Sequence, residues 1–331
     1  MVKTFGELAT GQTAQLYTIS CGRIRSDITN YGATLVSLVV DGVDVVLGFD
    51  DVSGYATQGG YLGAIVGRYA NRVGGAKFLL NGQEVLMPAN EGPNCLHSGP
   101  DGWSFRLWEV KEHTDNSLTL FLHSPDGDQG FPGNADVFVT YAIENDGLTI
   151  TYKAVSDKDT AFNLTNHAYF NLFGQDKPER AMDQELMMPA EAFCPDDAAN
   201  IPTGEVRSVE GTPFDFRSFK PIGQDIGMDY EPLHLQGGYD HNFANVQPVC
   251  AVMRNPESGL TMTVTTDLPG VQLYAGNFLD NQGKGGVAYG KRSGVALETQ
   301  YFPDAVNHPE WVQPFVKAGE PWVSITRYAF T

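Results

Sequence analysis

Basic residues are scarce in this sequence. Lys and Arg total 21 against 40 for Asp and Glu, a formal net charge of −19 over 331 residues. That balance argues against nucleic acid and anionic membranes as partners. It also disfavours a polyphosphorylated substrate, unless a local basic pocket overrides the average. Cysteines number four, Cys21, Cys95, Cys194 and Cys250, with no Cys-x-x-Cys pair, so a zinc ribbon or thioredoxin-like motif is absent. In a chain of this size they read as free thiols, mostly buried, rather than a disulfide framework. No apolar run approaches transmembrane length, and Met1–Glu7 has no signal core. The expectation is a soluble, cytoplasmic protein with no membrane contact. Its oligomeric state is not legible. A 3.6-residue apolar period sustained over three turns is also missing, which excludes long helices.

What the sequence has is turn chemistry and alternation. There are 37 glycines and 19 prolines. Leu35–Val40 and Val43–Leu47 flank Asp41-Gly42, and Ala76–Leu80 and Gln83–Met87 flank Asn81-Gly82; both pairs of apolar runs read as hairpins. Arg106–His113 and Leu118–His123 bracket a polar turn. Ala135–Glu144 turns through Asn145-Asp146-Gly147 into Leu148–Val155, with Val137, Val139, Tyr141 and Ile143 on one face. Val249–Arg254, Leu260–Thr266 and Trp322–Phe330 complete the run of strands. Short helical turns are expected near Asp51–Tyr55 and Pro221–Ile226. So many strands with short loops predict an all-β fold, a large antiparallel β-sandwich with few short helices. Nothing in 1–331 reads as a linker or repeat, so one domain is expected, with 176–236 as long ordered loops.

Several stretches are too polar for a plain sandwich. Asn163-Leu164-Thr165-Asn166-His167-Ala168-Tyr169-Phe170-Asn171-Leu172 reads as a strand. Leu164, Asn166, Ala168 and Phe170 would line one face, with His167 among hydrogen-bonding side chains on the other. A face of amides, a phenol and an imidazole suits recognition of a polyhydroxylated molecule. Gly67–Arg72 places Arg68, Asn71 and Arg72 after the apolar run Tyr61–Val66. Asn94–Gly99 sets His97 in a glycine-bounded loop, and Gly238–Phe243 joins Asp240 to His241 and Asn242. Gln272 lies on a strand that ends in Gly276-Asn277. Glu298 follows Val295-Ala296-Leu297, and desolvation there would raise its pKa and favour its use as a base. His97, His167, Asp240 and His241 include no pair with a recognised metal-ligand spacing, so no metal is assigned.

Taken in order, Gly67–Arg72, Asn94–Gly99, Asn163–Leu172, Asp240–Phe243, Gln272–Leu279 and Leu297–Asp304 resemble the motifs of the aldose 1-epimerase (galactose mutarotase) family. The similarity runs from about Gly32 to the C-terminus. It implies that family's β-supersandwich and the interconversion of α and β anomers of aldohexoses such as galactose and glucose. The implied partner is a small-molecule sugar, and no cofactor is implied. By resemblance Glu298 is the base at the C1 hydroxyl, His167 is the acid at the ring oxygen, and His97 hydrogen-bonds beside it. Asn71, Arg72, Asp240 and Gln272 would hold sugar hydroxyls, and an aromatic near Phe278 would stack on the sugar. Asp196-Asp197-Ala198-Ala199 does not fit the pattern, which leaves the preferred sugar open. Three rivals share these residues: a glycoside hydrolase using Asp240 and Glu298, a non-catalytic sugar-binding or regulatory protein on the same fold, and an epimerase of another sugar such as a hexose 6-phosphate.

Overall fold

Alternation of apolar and polar side chains sets most of the architecture in this computed structural model, which describes residues 1–331 apart from 145 and 245–247. Three large sheets form, of five, nine and six strands, with antiparallel ladders throughout. The five-stranded sheet takes the first 44 residues in simple meander order. Asp41 and Gly42 both have positive φ, as the predicted turn requires, and Val40 pairs with Val43. Asn81-Gly82 turns in the same way between Lys77–Leu80 and Gln83–Leu86.

The nine-stranded sheet contains Ala135–Glu144 and Gly147–Ser156, paired along their length, and Gly147–Ser156 pairs in turn with Pro321–Phe330. Asn145, part of the predicted turn between the first two, lies outside the described residues. Val137, Val139, Tyr141, Ile143, Leu148, Ile150 and Tyr152 are fully buried on one face. Each such side chain contributes on the order of 1.5–3 kcal/mol by leaving water. The largest apolar cluster draws on all three sheets: Ile28 and Leu38 from the first, Val139 and Ile150 from the second, Leu273 and Leu297 from the third. This is the predicted β-sandwich. Cys95, Cys194 and Cys250 are buried, Cys21 is partly so, and all four are free.

Two local expectations need correction. Pro221–Ile226 is not helical: Lys220–Pro221 is a short strand and turns follow. The helix lies instead at Glu231–Gln236, with Pro232 in its first turn and Gly237 closing it at φ 65°. The other predicted helical turn forms as Val52–Thr57, capped by Asp51, whose side chain accepts from the Ser53 N–H. The second correction concerns 163–172, which is not one strand. Thr165–Asn166 pairs with Ile65–Val66, and Tyr169–Phe170 pairs with Val295–Ala296 in a different sheet. Every residue of the stretch is buried, so neither face meets bulk water.

The break between these two short strands is held by Gly63. Its N–H donates to the His167 carbonyl, and its own carbonyl accepts from Leu35 N–H and from the Asn166 amide. Gly63 has φ 68°, and a Cβ there would lie 2.0 Å from the Leu35 carbonyl oxygen. Gly63→Ala is therefore expected to destabilise the fold by about 2 kcal/mol or more, read as a lower urea midpoint with unchanged slope.

Candidate active site

The six-stranded sheet presents an apolar face and a polar face along the same strands. In Gly270–Tyr274 and Val295–Gln300, Val271, Leu273, Val295 and Leu297 face the main core. The alternate positions are Gln272, Tyr274, Glu298 and Gln300. Pairing of Gln272 with both Glu298 and Asn242, and of Asp240 with Tyr274, gathers these groups on one surface. Glu298 thus sits inside its strand rather than after it, and is only 2% exposed. His241, on the alternate position to Asp240, falls on the opposite face against Phe193 and Phe214. It takes no part in the site.

His167 reaches this surface from the break between the two short strands. Its N–H donates to the Ala64 carbonyl, and its ring packs against Tyr169 and Tyr61 with centroids 5.0 and 5.9 Å away. Its Nε2 lies 3.6 Å from Glu298 Oε1. The neighbouring amides do not line the cavity. Asn163 accepts from Tyr301 N–H and donates to the Ala70 carbonyl. Asn166 donates to Gly63, and Asn171 to the Lys177 carbonyl. They bind backbone and hold the histidine's turn in place.

His97 comes from a second turn. Asn71 and His97 have φ 66° and 53° and bond to each other twice: His97 N–H donates to the Asn71 carbonyl, and Asn71 N–H donates to the His97 ring Nδ1 at 3.0 Å. Because Nδ1 accepts, neutral His97 carries its proton on Nε2 and offers the pocket a donor. Arg72 follows directly. Glu91 takes its Nε and one terminal nitrogen at 2.6 and 2.8 Å, leaving the other 4.0 Å from Asp240 Oδ2. Arg68 points elsewhere, buried on the Pro132 and Gly133 carbonyls and Ser124.

These groups surround a cavity of about 250 Å³, below the ~300–1,000 Å³ usual for drug-sized ligands. Six of the seven predicted ligands and catalysts line it: Glu298, His167, His97, Asn71, Arg72 and Asp240. Gln272 does not. Its amide lies one layer back, donating to Asp240 Oδ1 at 2.8 Å and accepting from Gln300. Phe278 stands 73% exposed at the mouth. Tyr169, the phenol expected on the same face as His167, lines the cavity, and sequence reasoning missed Glu91, Tyr61, Tyr274 and Asn200, which line it too. Of these, Glu91 had a signal, a carboxylate in the turn just before the His97 motif.

Burial dominates the electrostatics. It pushes the Glu298 carboxyl well above the usual carboxylate range, with Asp240 nearby adding to the effect and Arg72 opposing it. It lowers His167 to about 4 and His97 well below its ordinary value. Asp240 is raised by burial despite Arg72. Burial thus disfavours charge on both members of the pair, favouring a protonated Glu298 carboxyl and a neutral His167 imidazole. The ligand atoms of His97, His167 and Glu298 lie within 4.8 Å of one another, a spacing that a metal ion could bridge. The Asn71 N–H on His97 Nδ1 weakens that possibility, since the nitrogen left for a metal already carries hydrogen.

Comparison with known proteins gives one consistent result. The sequence profile of the family described as aldose 1-epimerase matches residues 15–329. Galactose mutarotase from Bos taurus is 40% identical over 339 aligned residues, spanning 99% of this chain and 97% of the relative. Aldose 1-epimerase from Escherichia coli K12 is 38% identical over 317, spanning 92% and 91%. Among solved structures, galactose 1-epimerase from Lactobacillus acidophilus superimposes with a TM-score of 0.88 at 28% identity, covering 100% of this chain and 98% of that one. An aldose epimerase homologue from C. elegans gives 0.88 at 31% identity, covering 96% and 98%.

Selective ¹⁵N labelling of imidazoles tests the protonation scheme. His97 and His167 are expected to remain neutral from pH 8 to pH 5, His97 as the Nε2–H tautomer. An imidazolium at His97 near neutral pH contradicts the bond from Asn71.

Proposed function

The chain belongs to the aldose 1-epimerase family, and from that premise we propose how its own residues carry out the reaction. The enzyme is a mutarotase, an isomerase that interconverts the α and β anomers of an aldose. The C1 hydroxyl must lose a proton while the ring oxygen gains one. The C1–O5 bond then opens to the aldehyde, the C1–C2 bond rotates, and the ring closes on the other carbonyl face. One acid and one base that exchange roles between opening and closing are sufficient.

The observation that carries this reading is the contact between His167 Nε2 and Glu298 Oε1, 3.6 Å apart in the wall of one small cavity. In the opening step ionised Glu298 takes the C1 proton and protonated His167 delivers one to the ring oxygen. The pair ends as a neutral acid and a neutral imidazole, and ring closure runs the transfers backwards. Net charge and proton count are conserved throughout. His97 donates from Nε2 to the ring oxygen and keeps the incoming proton directed there. Asn71, Arg72 and Asp240 hold hydroxyls away from C1, and Gln272 acts on them through Asp240. Phe278 at the mouth is positioned to cover an apolar sugar face.

The preferred substrates are unphosphorylated aldohexoses such as galactose and glucose. Arg72 is clamped by Glu91 and faces Asp240, so it has little positive charge to offer a phosphate. A hydrolase using Asp240 and Glu298 is disfavoured because the group in contact with Glu298 is an imidazole. A purely binding protein has no need of an acid–base pair. We propose further that the chain acts as one domain. No helix of the described residues is long and apolar enough to cross a membrane. The four free cysteines and acidic surface support a cytoplasmic enzyme that engages neither membranes nor nucleic acid.

Polarimetry on freshly dissolved α-D-galactose or α-D-glucose is the direct test. The protein is expected to speed the approach to equilibrium rotation, and no acceleration with any aldohexose would overturn the assignment. Glu298→Gln should reduce kcat roughly 10³-fold while sugar binding remains measurable by calorimetry. The pH profile should be bell-shaped. Activity falls on the acid side as the pair takes up a second proton near His167's value of about 4. It falls on the alkaline side as the single proton leaves at Glu298's raised value. A flat profile under conditions where chemistry limits the rate would exclude the pair.

A further inference from the structure

The wall of the cavity remote from Glu298 and His167 contains a residue that no sequence motif marked. Asn200 lies in the loop 195–203, directly after Asp196-Asp197-Ala198-Ala199, the four residues that do not fit the family pattern. The loop is tightly tied. Asp197 Oδ1 accepts from the N–H groups of Ala199 and Ile201, and Asn200 N–H donates to the Asp197 carbonyl. Asp196 bridges to Pro202. Asn94 reaches across to the Ala199 carbonyl at 3.2 Å, which docks the loop on the Glu91–Asn94 turn. That turn is the one whose Glu91 grips Arg72. Asn200 is thereby fixed at the Arg72 end of the cavity, half-buried and part of its lining.

The amide of Asn200 is uncommitted, whereas the charged groups near it are engaged. Arg72 is clamped by Glu91, Asp240 accepts from Gln272, and the Asn71 side-chain oxygen accepts from Arg72 N–H. The Asn200 side chain makes no hydrogen bond to the rest of the chain among the described residues. A primary amide both donates and accepts, as does a sugar hydroxyl. Resting on the mutarotase reading above, we propose that Asn200 is a substrate-binding and specificity-determining residue, one that grips pyranose hydroxyls remote from C1 and takes no part in proton transfer.

The competing explanation is purely local. Asn200 has φ 62°, and asparagine is among the few residues that tolerate this region without being glycine. Asn200→Gly separates the two. Glycine keeps the backbone conformation and deletes only the amide. A binding role predicts KM for galactose and glucose raised about fivefold, the loss of one hydrogen bond, with kcat within about twofold and both pH limbs unmoved. An unchanged KM for both sugars overturns the proposal, and so does a lowered kcat with unchanged KM. Wild-type protein is measured first. Its failure to mutarotate any aldose overturns the functional reading itself, whereas an active wild type with an indifferent Asn200→Gly overturns only this inference. A melting midpoint equal to wild type, by circular dichroism, establishes that the loop and fold survive.

Discussion

The site depends on keeping one proton between two groups that cannot both be charged cheaply. Glu298 and His167 are buried at 2% and 5% exposure. Removing a carboxylate and an imidazolium from water costs several kcal/mol each, and their attraction offsets that only in part. The neutral pair is thus the resting form, and the ion pair lies above it. In the proposed chemistry these two forms are the states before and after ring opening. The pocket favours the protonation state that accompanies the open-chain aldehyde, the species least stable in water. Bound sugar hydroxyls and the Nε2–H of His97 would supply the hydrogen bonds that make the ion pair accessible.

That constraint explains the layers around it. A shared proton requires the two side chains to keep a fixed separation, so both are anchored through backbone rather than through flexible contacts. Glu298 lies in the middle of a strand paired on both sides. His167 sits at a break between two strands, locked by Gly63 and by the amides of Asn163, Asn166 and Asn171. The abundance of amides near His167, which suggests a sugar-binding face when read in sequence, has this mechanical origin. Each amide bonds backbone, Asn166 the Ala168 N–H within the break and the others the segments packed against it or following it.

Legibility in the sequence followed the range of the interactions. Asp41-Gly42 and Asn81-Gly82 were readable because a two-residue turn is decided by its own residues. Val137–Ile143 was readable because one buried and one open face imprint a period of two. The stretch 163–172 also alternates, yet it is buried on all sides and belongs to two sheets; alternation cannot reveal a break imposed by Gly63 a hundred residues earlier. The helix at Glu231–Gln236 had local signals in Pro232 and Gly237, but at six residues it lacked a period. For the site, resemblance marked Glu298, His167 and His97, and also Asn71, Arg72, Asp240 and Gln272. Glu91 and Asn200 escaped because their roles arise only when two turns dock, through Asn94 and Ala199, against Arg72.

The electrostatics of the two cavity ends now separate by purpose. At the end holding Glu298 and His167, the proposed reaction moves charge, and the protein holds the pair in surroundings dry enough for protonation to be decided by contact rather than by solvent. At the other end, Arg72 is compensated by Glu91 and faced by Asp240, so its positive charge is nearly cancelled before any ligand arrives. A neutral sugar benefits from such an arrangement, since strong donors and acceptors are presented with little net field. An anionic ligand does not, because the carboxylates repel it as the guanidinium attracts it. The protein's overall charge of −19 acts in the same direction at longer range. In the proposed function, selection for uncharged aldoses would therefore follow from how Arg72 is paired, and would be lost first by releasing that pairing rather than by altering the acid–base pair.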